Sequence, residues 1–371
     1  MIEARHLAVD VVGVGSIFPA SAPEMRALPQ ELGGESYPTY ACAAAPGKDL
    51  IAPGKLRRLG RAQQLALGAT LCAAPDGALP PDVGERGAVC VGTGLGETGS
   101  TAAFLKSVLG PGQRFPRPSH FINSVHNALA SEIAMELGFK GENCTVTHGA
   151  ISFELALRRA MFLLLARRCD AAVVCGADEW TPYAVKFGQA HGWWRRSPDP
   201  LAPMAEASAQ AGALPGEGAA AFLLARSGFV PDPIARIAAC AARLGRGGAR
   251  ETGRVFLESL IGEAGAQWAD IQLVVLGANG DARTDAAYSG VIEECLAVAG
   301  GNFACAVYKH ATGEFCTASA LGTALAVEAV HTGALPDRLR LLHAAPAERI
   351  TRALVYHASP SGYHGACLVA S

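Results

Sequence analysis

Cys144-Thr-Val-Thr-His-Gly-Ala-Ile-Ser-Phe153 runs directly into Glu154-Leu-Ala-Leu-Arg-Arg-Ala-Met-Phe-Leu-Leu-Leu165. The pattern reads as a short strand, a sharp turn at the glycine, and then an apolar helix that is buried. Outward from this turn, short apolar strands alternate with longer helical stretches. Strands are expected at residues 8–15, 87–94, 170–176 and 217–225, and again near 234–241, 271–276, 303–308 and 353–357. Helices are expected over 56–73, 123–137 and 150–167, and again near 254–266, 284–299 and 315–332. That alternation implies a largely parallel, layered α/β fold. A polar, Pro-rich stretch from Ser197 to Pro215 breaks the first half, and Ser227-Gly-Phe-Val-Pro-Asp-Pro233 is the best boundary between halves. Two domains are expected, 1–228 and 229–371.

Bulk properties exclude several functions. The chain has 371 residues, 50% hydrophobic and 17% charged, with 43 Gly and a net charge of -2. Such a balance provides no concentrated basic face for nucleic acid. Arg57-Arg58-Leu-Gly-Arg61 and Arg167-Arg168 read as solvated helix surface. The 11 cysteines contain no CxxC pair, so they read as buried free thiols in a reducing compartment, without zinc. No basic-then-apolar leader opens the chain, and a cytoplasmic location is expected. The longest strongly apolar stretch, Ala160 to Ala166, is far below the roughly 20 residues that span a bilayer, so no membrane insertion is expected. Gly92-Thr-Gly-Leu-Gly96 lacks the GxGxxG spacing of a dinucleotide turn. Its glycines, and those of Gly13-Val-Gly15, suit tight strand-to-helix turns, and no cofactor is expected.

Six segments then occur in one order: Val12-Gly-Val-Gly-Ser-Ile-Phe-Pro19, Gly92-Thr-Gly-Leu-Gly96, Phe121-Ile-Asn-Ser-Val-His-Asn127, Gly176-Ala-Asp-Glu179, Leu214-Pro-Gly-Glu-Gly-Ala219 and Lys309-His-Ala-Thr-Gly-Glu-Phe315. Together they resemble the β-ketoacyl synthase branch of the thiolase superfamily over nearly the whole chain. The resemblance implies an α/β, thiolase-like fold with two similar βαβαβ-type halves in a five-layered α-β-α-β-α architecture. It also implies a nucleophilic cysteine at the turn and two histidines, and here each position differs. The nucleophile position is Ala150. Ala278-Asn279-Gly280 replaces the first Ala-His-Gly, and Glu314 stands where Lys309-x-x-x-Gly313 would lead into the second histidine. The pocket-gating loop is altered to Ser359-Pro-Ser-Gly-Tyr-His-Gly365. Only Lys309 survives from the catalytic set.

A methyl group forms no thioester, so no covalent intermediate arises at Ala150. Asn279 hydrogen-bonds but does not titrate near neutral pH. An anionic Glu314 opposes the charge that builds during decarboxylation, unless it pairs with Lys309. This profile resembles a chain-length factor, which pairs with a competent ketosynthase and elongates a polyketide or polyene chain on acyl carrier protein. Asn123-Ser-Val-His-Asn127, Ser152-Phe-Glu154, Asp178-Glu179 and Asn279-Gly-Asp281 further resemble ketosynthase-like proteins of aryl polyene and flexirubin-type pigment clusters. Two alternatives stand beside it. One is an acyl transferase or hydrolase with a relocated nucleophile, Ser152 or Cys144, beside His148. The other is a non-catalytic, carrier-protein-binding homodimer. The helical stripe Val125, Leu129, Ile133 and Leu137 is expected at the dimer interface.

Overall fold

The structure is a computed structural model and describes residues 8–20, 22–75, 77–110, 117–197, 211–245, 249–299, 303–343 and 349–371. Most of the Pro-rich stretch from Ser197 to Pro215 therefore lies outside the described residues. The N-terminal half begins with β1 (Val9–Ile17), β2 (Glu24–Ala27), β3 (Ser36–Thr39), α1 (Pro53–Leu56), α2 (Arg61–Ala73) and β4 (Gly87–Gly92). It continues through α3 (Thr98–Leu109), α4 (Pro118–Asn123), α5 (Ala128–Leu137), β5 (Asn143–Val146) and α6 (Ser152–Leu165). Then come β6 (Ala171–Asp178), α7 (Pro182–Ala190) and β7 (Gly218–Arg226). The C-terminal half holds β8 (Ala235–Leu244), α8 (Ala249–Glu263), β9 (Leu273–Leu276), α9 (Ala282–Ala299), β10 (Ala304–Val307) and α10 (Lys309–Thr312). It closes with α11 (Ala318–Thr332), β11 (Arg340–His343), β12 (Arg352–Ala358) and β13 (Tyr363–Ala370).

Eleven strands share one hydrogen-bonded sheet, ordered β11-β10-β9-β12-β13-β8-β1-β7-β6-β4-β5. The two halves are copies of one topology. Moving outward from β1, the pairings with β7, β6, β4 and β5 are antiparallel, antiparallel, parallel and parallel. Moving outward from β8, the pairings with β13, β12, β9 and β10 follow the same series. β11 adds an antiparallel edge beyond β10. The arms meet where Val9, Asp10 and Val11 pair with Ile237, Arg236 and Ala235.

Each arm is covered on both faces, and the strands accordingly read as continuous apolar runs. α6 and α11 lie in the middle, packed with Val174 and Phe222 of one arm and Val275 and Val355 of the other. α2 and α5 cover the outer face of the first arm, through Leu65, Leu129 and Ile133 against Val89 and Val173. α8 and α9 cover the outer face of the second, through Leu257 and Val291 against Val274 and Leu276. This is the expected α-β-α-β-α stack. α11 is apolar all round because both arms press on it.

Local chemistry moves several boundaries. The expected helix over 56–73 divides into α1 and α2, because Gly60 between them donates its N–H to Gln63 Oε1 at 2.9 Å. The helix over 123–137 is interrupted between α4 and α5. There Ser124 Oγ donates to the Phe121 carbonyl at 2.8 Å, the kind of local bond that competes with helix. Helices α3 and α7, the β2–β3 hairpin, and strands β11 and β13 were not anticipated. The expected interface stripe also needs correction. Leu129 and Ile133 are buried in the chain's own core against α2, so neither is available to a second subunit. Val125 does reach the surface, beside exposed Phe121 and Ile122. No helix among the described residues is long and apolar enough to cross a membrane.

Candidate functional site

Strand β5 enters the decisive turn as a short 3-10 segment, Gly149–Ile151. Gly149 sits at φ 55, where a side chain is disfavoured. Ser152 completes the turn: its Oγ accepts from the His148 N–H and donates to the Gly149 carbonyl, both at 2.8 Å. Both roles of that hydroxyl serve the backbone, so Ser152 is a structural cap. The His148 ring meets the edge of Tyr363 at 5.1 Å. Cys144 is half-buried on β5, in register with Cys90 of β4. The Cys90 thiol draws the Cys144 pKa below the usual thiol range. None of Cys144, His148 and Ser152 lines the cavity described next, and the His148 ring serves neither candidate nucleophile. The relocated set is thus not assembled.

Ala150 does face a cavity, of about 190 Å³, together with Asn279, Lys309 and Glu314. Ala150 follows β5 of one arm, and Asn279 and Lys309 follow β9 and β10 of the other, so both arms contribute to the cavity. Asn279 sits in the loop after β9. Asp285, in the first turn of α9, secures that loop by accepting the N–H groups of Asn279 and Gly280, both at 3.1 Å. Lys309 opens α10, and Gly313 ends it at φ 68. Glu314 then pairs its backbone with the 214–216 segment: its N–H donates to Leu214 O at 2.8 Å, and its carbonyl accepts from Gly216 N at 3.0 Å.

These three side chains form one closed network. Lys309 Nζ donates to both Glu314 oxygens, at 2.8 and 2.7 Å. Asn279 Nδ2 donates to Glu314 Oε2 at 2.6 Å. Lys309 is buried, which strengthens the pair and raises the penalty for breaking it. The lysine charge is therefore spent on a neighbour and is not directed at a substrate. The arrangement offers no nucleophile and no imidazole at these positions.

Two further carboxylates, Asp178 and Glu179, line the same cavity. Asp178, at the end of β6, accepts from Gly94 N at 2.7 Å and from Thr317 Oγ1 at 2.8 Å. Burial raises its pKa, and these donors offset only part of the rise. Glu179 lines the cavity and accepts from Gly99 N at 2.7 Å. Burial and then the neighbouring Glu97 hold its carboxyl well above the usual range. Glu97 caps α2 by accepting from Gln63 N at 2.6 Å, and burial pushes its pKa up to about 7. Nearby Arg61 is engaged by Glu217 at 2.6 Å.

Sequence reasoning missed His357, at the end of β12, and Ser319, in α11. Both line the cavity and both are buried. His357 Nε2 lies 2.9 Å from Oε1 of Glu154, a residue of α6 singled out only by resemblance. Burial opposes ionisation of Glu154, but His357 and Ser319 more than compensate and leave its pKa lowered. A histidine ending an apolar strand was the available signal. Its partner was not visible, since it comes from the other half of the chain.

No curated protein matches the chain. Solved structures that share its fold include the following three. One is a chain of a complex of a type II polyketide synthase acyl-carrier protein with its ketosynthase bound to the hexaketide. It has a TM-score of 0.81 at 15% identity, covering 98% of this chain and 99% of that one. The ishigamide ketosynthase/chain length factor gives 0.81 at 20% identity, with 98% and 99% coverage. A β-ketoacyl synthase from Burkholderia phymatum gives 0.76 at 16% identity, covering 98% of each chain. Such likeness makes the fold thiolase-like. The model of the β-ketoacyl synthase N-terminal domain matches residues 10–228, more than half of the chain, and on that basis the chain belongs to the β-ketoacyl synthase family.

Proposed function

We propose that the chain is a non-condensing ketosynthase-like subunit, a chain-length factor that pairs with a competent ketosynthase and acts on chains borne by acyl carrier protein. Its halves would be residues 1–228 and 229–371. The observation that carries this reading is the cavity at Ala150, where a methyl group replaces a nucleophile and Glu314 occupies both Lys309 and Asn279. The likeness to a ketosynthase/chain length factor supports it at the level of fold. An apolar surface supports the pairing. Phe121, Ile122 and Val125 are 56%, 65% and 49% exposed, a patch that monomers seldom leave in water. Products of the polyketide or aryl polyene type fit the resemblance of the sequence.

The test is co-expression with a ketosynthase that carries Cys and two His, followed by co-purification and intact-mass analysis with acyl carrier substrates. Acylation of the partner alone, in a stable complex, is the expected result. A stoichiometric acyl adduct on this chain overturns the reading. Val125→Asp is expected to weaken the complex without unfolding the chain. Leu129→Asp is expected to unfold the chain itself, because an unpaired charge would enter its core.

A further inference from the structure

The polar groups around the cavity are satisfied unequally. In the Lys309–Glu314–Asn279 network every charged group has a partner at hydrogen-bond distance. At the floor the opposite holds. His357 Nε2 and Ser319 Oγ both sit near the Glu154 carboxylate, but His357 Nε2 is off line for a hydrogen bond at 2.9 Å and neither Ser319 Oγ nor Glu154 Oε2 meets a well-aligned partner. Ser319 and His357 are each only 3% exposed, so bulk water does not serve them. Buried polar atoms are almost always paired, and a cluster that is not paired within the protein marks a place where a ligand or a bound water belongs. The backbone is shaped to keep the cluster open. A Cβ on Gly365 would lie 2.2 Å from His357 Nε2 and 2.9 Å from Glu154 Cδ.

Charge and surface then limit what fits. Among the described residues the lining carries two basic side chains, Lys309 and His357, and each already faces a carboxylate. Asp178, Glu179 and Asp281 add acid to the same walls. A carboxylate ligand would find no unmatched cation there, and a cationic one would find Glu314 and Glu154 already facing Lys309 and His357, with Asp178 and Glu179 held toward neutrality by burial. Leu95, Trp193, Trp194 and Phe315 make the remaining wall apolar and flat.

We propose that the cavity floor is a ligand site, in which His357 and Ser319 hold the oxygen of an uncharged, largely apolar small molecule, a ketone or an alcohol. The inference rests on the reading that this cavity carries out no acyl transfer, but it needs no partner subunit. The test uses the purified chain, with 2-octanone and octanoate as probes, titrated by tryptophan fluorescence and calorimetry at neutral pH. Trp180, Trp193 and Trp194 line the cavity and report its occupancy. Expected is binding of 2-octanone at least roughly tenfold tighter than octanoate. His357→Phe is expected to weaken the ketone by roughly tenfold, the size of one lost buried hydrogen bond, and Ser319→Ala by a few-fold. If His357→Phe does not fold, Ser319→Ala carries the test, since it removes only one oxygen. Octanoate binding as tightly as the ketone overturns the proposal, as do variants that bind the ketone like wild type. No ketone binding up to its solubility limit overturns it too, and leaves the floor a water site. An acyl adduct on the chain sinks the proposed function instead, so the two failures are told apart.

Discussion

Glu314 and Glu179 line the same cavity in opposite electrical surroundings. Glu314 touches a cation directly, with Lys309 bonded to both its oxygens. Glu179 has a single backbone donor, Gly99 N, and its near neighbours include Glu97 and Glu217. The arginine in reach, Arg61, is already taken by Glu217. The difference teaches that contact matters as much as location: Glu314 is bonded to a cation, whereas Glu179 is buried beside other carboxylates. Glu314 is locked by pairing, and Glu179 is held toward neutrality by burial and crowding.

The strongest way to break this contrast is to remove the cation. Lys309→Met is expected to destabilise the chain by about 3 kcal/mol, because it removes one partner of a largely buried pair and leaves Glu314 only the Asn279 amide. Urea unfolding measures it, and a loss within error of zero would mean that Glu314 is solvated well enough to stand alone. Removing both charges sharpens the point. Lys309→Met with Glu314→Gln is expected to recover most of the loss, since a matched apolar replacement of a buried pair is often neutral.

The buried carboxylates around Glu179 are probed by pH. The pKa of folded Glu97, about 7, lies above its ordinary value of 4.5, primarily because of burial. Folding therefore favours the proton. The associated stability is complete below pH 4.5 and is lost as pH rises through about 7. Between pH 5 and pH 8 the loss is up to roughly 3 kcal/mol, and raised Asp178 and Glu179 act in the same direction. Glu97→Gln keeps an acceptor for Gln63 N and is expected to flatten the pH profile of the urea midpoint. An unchanged slope in that variant would place the titration elsewhere.

The smallest effect is expected where a reader of motifs would look first. Ala150→Cys restores a thiol but leaves Asn279 and Glu314 in place. Each missing acid–base group typically costs about 100- to 10,000-fold, so no measurable malonyl condensation is expected from the single variant. Turnover near that of an active ketosynthase would show that the Lys309–Glu314–Asn279 network does not close the site.

Local pattern carried much of the fold. The apolar runs 170–176 and 217–225 are strands β6 and β7 because strands buried on both faces have no polar residues to confuse the reading. The turn before α6 was legible from its glycine. Lys309 and Glu314 were legible as a pair because only the single turn of α10 separates them. What failed was whatever depends on a distant neighbour. Periodicity shows that Leu129 and Ile133 share a face, but only the packing of α2 shows that the face turns inward. His357 and Glu154 come from different halves, and no spacing rule links them. α3 begins Thr98-Gly-Ser-Thr, residues that form helix poorly, and contacts outside the segment hold it in place.

The strand order also has a consequence for how the chain becomes a protein at all. In each half the first strand is hydrogen-bonded to the last: β1 to β7 and β8 to β13. Val9 must wait for Arg226, and Arg236 for Ala370. A ribosome delivers about 5 to 20 residues per second, so β1 stays without its partner for tens of seconds while β4, β5 and β6 are already out. Those three are parallel to one another and can assemble earlier, with α6 laid across them. The strand order thus permits the sheet to be built from its far edge inward, with each arm closed by the strand that is made last.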